Sequence, residues 1–289
     1  MTHSYQIFDV FASAPLEGNP LAVVYDAGDL PGEAMQAIAK AFNLSETIFL
    51  MPPEDAANTH KARIFTPTME MPFAGHPTVG GAVAAARRAG GLATVSLELP
   101  AGVTRCTIAP DASGATVVAP QIPALEDGVV STSVLAGVLG LDEAELGFGA
   151  YKPVRATSGP RWTVTPVASA DRLAAIRLDT NAIKALGAGY ESLYVIAPTG
   201  EGAFQCRMFA PEHNIYEDPA TGSAAVAFAA LFAQWGGAGD GTHELTFLQG
   251  VEMGHRAVLR LGIDIADGAV TEVRLSGDVV LMAEGTMVF

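Results

Sequence analysis

Arg63-Ile64-Phe65-Thr66-Pro67, followed by Phe73-Ala74-Gly75-His76-Pro77-Thr78 and an Ala/Val-rich run, has a counterpart later in the chain. Arg207-Met208-Phe209-Ala210-Pro211 leads there to Glu217-Asp218-Pro219-Ala220-Thr221-Gly222-Ser223 and a second such run. Phe209 lies 144 residues after Phe65 and Thr221 lies 143 after Thr78, so one deletion keeps the copies aligned at half of the 289-residue chain. Two copies of one unit, each with its concentrated polar motif at the same place, predict two similar halves facing each other across one site.

The two runs read as helices with matching ends, one from about Pro77 to Ala89 closed by Gly90-Gly91, the other from about Pro219 to Trp235 closed by Gly236-Gly237. Proline in a first turn loses no useful donor, and glycine past the end accepts the left-handed cap. Neither helix has a clear polar face. A helix apolar on all sides is buried, so both bodies are expected in cores and any function at their N-termini.

A chain of 289 residues with 49% hydrophobic content can bury two cores, which argues against disorder. No apolar run reaches the ~18 residues of a membrane-spanning helix. Ala12-Ser13-Ala14 mimics a cleavage site, but no basic segment precedes it and Asp9 interrupts the apolar stretch, so the expectation is a soluble, unprocessed, cytoplasmic protein. A net charge of −15, with no basic cluster larger than Arg87-Arg88, argues against nucleic-acid and anionic-membrane partners. Cys106 and Cys206 lack CxxC spacing and are expected as core thiols in a reducing compartment.

Along the first half, strands are expected at Tyr5–Phe11, Leu21–Val24, Ser45–Leu50, Thr94–Leu99 and Val103–Ile108. A helix is expected from about Pro31 to Ala41, with Met35, Ile38, Ala39 and Phe42 on its apolar side. The second half is expected to carry helices near Ser131–Leu139, Asp171–Ile176 and Thr180–Leu186. Its strands are expected at Trp162–Val164, Glu191–Ile196, Glu244–Leu248, Ala257–Leu261, Val270–Leu275 and Val279–Ala283. Short strands around one apolar helix per half give an α+β class: two pseudo-symmetric domains, each a curved, mostly antiparallel sheet wrapped around a central buried helix. The expected division is 1–120, joined by a returning last strand at about 278–289, and 121–277.

Two helix N-termini aimed at one cleft would supply free N–H groups and partial positive charge, a site for a small anionic metabolite, with His76 as a further aid. The plainer readings are that Asp218 is a helix cap and His76 a satisfied structural histidine. Glu46, at the start of a strand, is by spacing alone a solvated carboxylate; pointed into a cleft, burial would raise its pKa and let it take and return a proton. The six histidines show no metal-ligand spacing, no phosphate-binding glycine loop is present, and no lysine sits in a pyridoxal motif; no metal or cofactor is expected.

Asp9-Val10-Phe11, Gly18-Asn19-Pro20-Leu21-Ala22-Val23, Asn43-Leu44-Ser45-Glu46-Thr47, Phe73–Thr78 and Glu217–Ser223, in this order, resemble the phenazine-biosynthesis PhzF-like family within the wider diaminopimelate-epimerase-like fold. The resemblance implies paired domains, a cofactor-free site and a homodimer. It carries the family's glutamate acid/base onto Glu46, its Gly-His pair onto Gly75 and His76, and its Asp and Gly-Ser positions onto Asp218, Gly222 and Ser223. The activity implied is that of trans-2,3-dihydro-3-hydroxyanthranilate isomerase, which moves a proton around a ring and shifts its double bonds. Racemases of this fold use a thiol at each helix tip; here neither tip has one, which disfavours two-thiol chemistry. The segment Gln249–Ala257 departs from the Arg-Pro-Ser-like family pattern at Gly254-His255-Arg256. The alternatives are a lyase using Glu46 and Asp218, and a non-catalytic metabolite-binding or scaffold protein.

Overall fold

The computed structural model describes residues 2–128, 130–189 and 192–288. The chain divides into two compact units, Met1–Val118 with Leu275–Phe289, and Ala119–Arg274. The first carries β1 (Thr2–Val10), β2 (Asn19–Val24), α1 (Gly32–Phe42), β3 (Glu46–Met51), β4 (His60–Phe65), β5 (Glu70–Met71), α2 (Gly75–Arg88), β6 (Thr94–Leu99), β7 (Gly102–Ile108) and β8 (Gly114–Val118). The second carries β9 (Ala124–Glu126), α3 (Thr132–Leu139), β10 (Val154–Thr157), β11 (Arg161–Pro166), α4 (Ala170–Ala175), β12 (Leu193–Gly200), β13 (Ala203–Ala210), β14 (Ile215–Asp218), α5 (Gly222–Trp235), β15 (Gly241–Gln249) and β16 (Ala257–Ala266). The last strand, β17 (Ala269–Val288), starts in the second unit and ends in the first. The result is a sheet-rich mixed fold with few helices.

In the first unit β1 lies antiparallel between β17 and β2. From there β2 runs parallel to β3, β3 antiparallel to β4, and β4 parallel to β6, with β5 a short antiparallel partner of β4. The antiparallel pairs β6–β7 and β7–β8 complete it. Helix α2 packs against β1, β2, β3, β6, β7 and β8, which one helix can do only if the sheet curves around it. Close approach explains its glycines: a Cβ at Gly80 would meet Leu21 Cδ2 at 2.5 Å, and one at Gly81 would meet Ile48 Cδ1 at 2.7 Å. Helix α1 also packs on β3 and joins Val24, Met35, Ile38, Phe49 and Phe65 in a separate apolar cluster. With helices on both sides, β3 is buried at five consecutive positions instead of alternating.

In the second unit β9, β10 and β11 form antiparallel pairs, β11 runs parallel to β12, and β12 antiparallel to β13. Strand β13 is antiparallel to β14 and parallel to β15, which pairs antiparallel with β16. Helix α5 packs on β9, β10, β11 and β16. Another cluster, including Leu135, Leu139, Leu173, Leu193, Val195 and Phe209, brings α3 and α4 to the sheet.

Several expected boundaries move. Helix α2 starts at Gly75, two residues before Pro77, and α5 at Gly222, three after Pro219. Pro219 therefore lies before the α5 helix, whose N-cap is Thr221, so Asp218 is not the cap. The left-handed glycine after α5 is Gly237, because Gly236 keeps helical backbone. Of the helix expected at Thr180–Leu186, only a 3-10 turn at Ile183–Leu186 forms. Glu191, expected to begin a strand, lies outside the described residues.

The two strands expected at Val270–Leu275 and Val279–Ala283 are one, β17. Gly277 between them is a contact point and not a turn: a Cβ there would sit 2.1 Å from Cδ1 of the buried Phe11 ring. Gly277→Ala is therefore expected to destabilise by about 1–3 kcal/mol, the usual range for overpacking. Gly137→Ala, inside α3 with nothing within 4 Å of the added methyl, is expected to be neutral or stabilising by up to ~1 kcal/mol. Thermal melts of the two variants giving equal midpoints would contradict this account.

Candidate functional site

Glu46 opens β3, where the register sets it beside Leu21 of β2, and Pro20 precedes that residue. Its side chain is 16% exposed, so it is not the solvated carboxylate that spacing alone suggests. His76 is the second residue of α2 and is 5% exposed; its Nδ1 lies 3.3 Å from Oε2 of Glu46. Gly75, the first residue of the helix, is buried with it. These two sequence-separated candidates are thus brought into contact within the first unit.

The Glu46–His76 contact is not an ion pair at neutral pH. Burial pushes the imidazole pKa down to about 3, and the Pro20 carbonyl, which favours the charged form, does not offset it. A neutral ring has no charge with which to attract an anion, so the aid expected from His76 is limited to hydrogen bonding. The ring's hydrogen bond goes to the Pro20 carbonyl, which can only accept; with Nε2 unpartnered the proton is on Nδ1, and Nε2 is an acceptor. That atom is buried and has no hydrogen-bond partner among the described residues, so the complementary group is a donor such as an amine or hydroxyl. Ala74, the N-cap of α2, makes no side-chain cap bond, and the first helical N–H groups lack intrahelical partners, as at any helix start.

The depressed pKa of His76 has a consequence for stability. An unfolded histidine binds a proton below about 6.5, whereas the folded one resists it to about 3. The contribution is complete above about pH 6.5 and is lost progressively as pH falls from there toward 3, by at most about 1.4 kcal/mol per pH unit. Urea unfolding of the wild type and His76→Gln between pH 7 and 4 is expected to show this part of the slope only in the wild type; parallel curves would remove His76 as its source.

In the second unit, Asp218 ends β14 and is 5% exposed. Its Oδ2 accepts a 2.5 Å hydrogen bond from Oγ1 of Thr221. The Thr221 hydroxyl thus serves Asp218 and makes no cap bond, leaving the first α5 N–H groups, from Gly222 and Ser223 onward, without a side-chain cap. Gly222 is buried, and the carbonyl of Ser223 accepts a 2.7 Å bond from Ser158 Oγ. Asp218, Thr221, Gly222 and Ser223 form one group by chain proximity. Thr221, Ser158 and Gln249 were not singled out from sequence as site residues; for Thr221 the signal was its place in the repeated motif.

The cysteines are on β7 and β13, outside both helix-start motifs, and both are buried. Burial pushes each thiol up to about 12. Neither has the thiolate character that a catalytic cysteine needs.

The repeated Arg-x-Phe stretches are structural. Arg63 makes a bidentate pair with Glu70, both bonds 2.6 Å, and lies over Phe65 at 5.0 Å. Arg207 makes the same pair with Glu217, at 2.8 and 2.7 Å, and lies over Phe209 at 4.9 Å. Each arginine ties its strand to the segment that leads to the following helix start.

A family model described as phenazine biosynthesis-like protein matches residues 8–285. An uncharacterized isomerase of Mesorhizobium japonicum is 38% identical, with 99% of each chain covered. The trans-2,3-dihydro-3-hydroxyanthranilate isomerase of Pseudomonas fluorescens is 33% identical, again over 99% of each chain. The crystal structure of a PhzF-family phenazine biosynthesis protein of Bacillus anthracis, 24% identical, matches the whole of both chains with a TM-score of 0.89, a likeness of fold. With the motifs in order from Asp9 to Ser223 and the match running through nearly every element, the chain belongs to the PhzF-type family of phenazine biosynthesis-like proteins, whose full-length relatives named here are isomerases.

Proposed function

We propose that this isomerase is cofactor-independent and moves a carbon-bound proton on a small carboxylate-bearing metabolite, in a reaction of the trans-2,3-dihydro-3-hydroxyanthranilate isomerase type. The observation that carries the reading is the half-buried Glu46 carboxylate held 3.3 Å from a neutral, buried histidine. A carboxylate with limited water around it can accept a proton from carbon and return it to another carbon of the same molecule. One C–H bond breaks, the double bonds shift, and another C–H bond forms, so no oxidant or second substrate is needed.

Gly75 and His76 in the first unit, and Asp218, Gly222 and Ser223 in the second, are assigned as substrate contacts. Uncapped helix N–H groups suit the carboxylate of the substrate, and His76 Nε2 suits its amino or hydroxyl hydrogen. We also read the two units as copies of one ancestral unit, supported by the matching strand-pairing order and by the repeated Arg–Glu–Phe device. The protein is further expected to act as a homodimer, which sedimentation at micromolar concentration tests.

The reaction is tested by following trans-2,3-dihydro-3-hydroxyanthranilate with the protein in deuterated water by proton NMR. The expected result is an isomerised product carrying deuterium at the newly protonated carbon. Neither conversion nor exchange of a carbon-bound hydrogen would exclude this substrate.

A further inference from the structure

The geometry points to Gln249 as the positioning residue for the Asp218–Thr221 group: its amide orients the Thr221 hydroxyl onto Asp218 and presets the start of α5. Gln249 ends β15 and is completely buried. Its Nε2 donates to the Asp218 carbonyl at 2.7 Å and to Thr221 Oγ1 at 3.1 Å, while its Oε1 accepts from the Thr221 N–H at 3.2 Å. The Asp218 carbonyl can only accept and the Thr221 N–H can only donate, so the amide has one orientation.

That orientation determines the next bond. Thr221 Oγ1 already accepts from Gln249, and its single hydrogen is directed to Asp218 Oδ2 at 2.5 Å. A hydroxyl donor aimed at one carboxylate oxygen holds the side chain in one rotamer. Gln249 also takes up the N–H of the N-cap residue itself, so the segment from Asp218 to Thr221 is tied at both ends before any ligand arrives.

The amide is supported from behind. Cys206 Sγ lies 3.8 Å from Gln249 Oε1 and 2.9 Å from the Tyr194 hydroxyl, which donates to it. All three side chains are fully buried. Burial holds the thiol and the phenol neutral, so neither brings a charge to the amide.

The inference rests on the reading of Asp218 as a substrate contact, and its test separates the two. KM and kcat for trans-2,3-dihydro-3-hydroxyanthranilate are measured for Gln249→Met, Thr221→Val and the double variant. Each single change is expected to raise KM about tenfold, the worth of one hydrogen bond to a charged group. Because both act on the same bond, the double variant is expected to stay near tenfold and not reach about a hundredfold. Multiplying effects, or a lower kcat at unchanged KM as a loss of folded protein would produce, would overturn it. Thr221→Val, which removes a single hydroxyl from a correctly shaped side chain, keeps the test open should Gln249→Met fail to fold. If the wild type does not turn this compound over, the functional reading falls. Amide hydrogen exchange at Thr221 then decides the clamp alone, with exchange at least ~10-fold faster in Gln249→Met expected and unchanged protection overturning it.

Discussion

Glu46→Gln is expected to lower the isomerisation rate by about 10³–10⁴-fold, the range over which a single general acid–base group acts. The amide has the size and shape of the carboxylate and can keep its place beside His76 Nδ1, which lies 3.3 Å from the Glu46 carboxylate. It cannot hold a proton taken from carbon. The variant is therefore expected to fold, to bind substrate with KM within a few-fold of the wild type, and to incorporate no deuterium from solvent. A loss confined to chemistry is the mark of a group used mainly in the transition state. Turnover within tenfold of the wild type, measured by proton NMR in deuterated water, would mean that another group carries the proton.

Arg207→Met is expected to destabilise the protein by about 3–5 kcal/mol, whereas Arg63→Met is expected to cost only about 1 kcal/mol. Both arginines make bidentate pairs with a glutamate and both lie over a phenylalanine, so the local chemistry is the same. Burial separates them. The Arg207 and Glu217 side chains are 10% and 9% exposed, against 27% and 34% for Arg63 and Glu70. Glu252 also approaches Arg207, at 3.9 Å. Removing Arg207 leaves two largely buried carboxylates without their cation, while Glu70 without Arg63 can take up water. Denaturant unfolding of the two variants measures the difference; equal losses would show that burial does not set the worth of these pairs.

The helix bodies of α2 and α5 were legible because residues apolar on every side have only one low-energy place, the interior, and because glycines follow both. Their starts were not. Pro77 does lie in a first turn, but Pro219 lies three residues before α5, since Gln249, distant in sequence, takes the N–H and hydroxyl of Thr221 and so sets where the helix begins. Val270–Ala283 read as two strands because Ser276-Gly277-Asp278 has turn composition; nothing local shows that Phe11 lies against Gly277.

The sequence by itself determined the repeated pattern, a mixed sheet-rich fold and the family. Those features depend on residue type and spacing, which the chain carries locally. Only the tertiary structure decided that Glu46 is shielded and faces His76, and that His76 is neutral. It also revealed that Arg207 is a buried strut while Arg63 is a partly exposed one, and that Gln249 orders the approach to α5. These properties depend on how much water each group keeps and on which distant partner reaches it, and desolvation and long-range contacts exist only once the chain has folded.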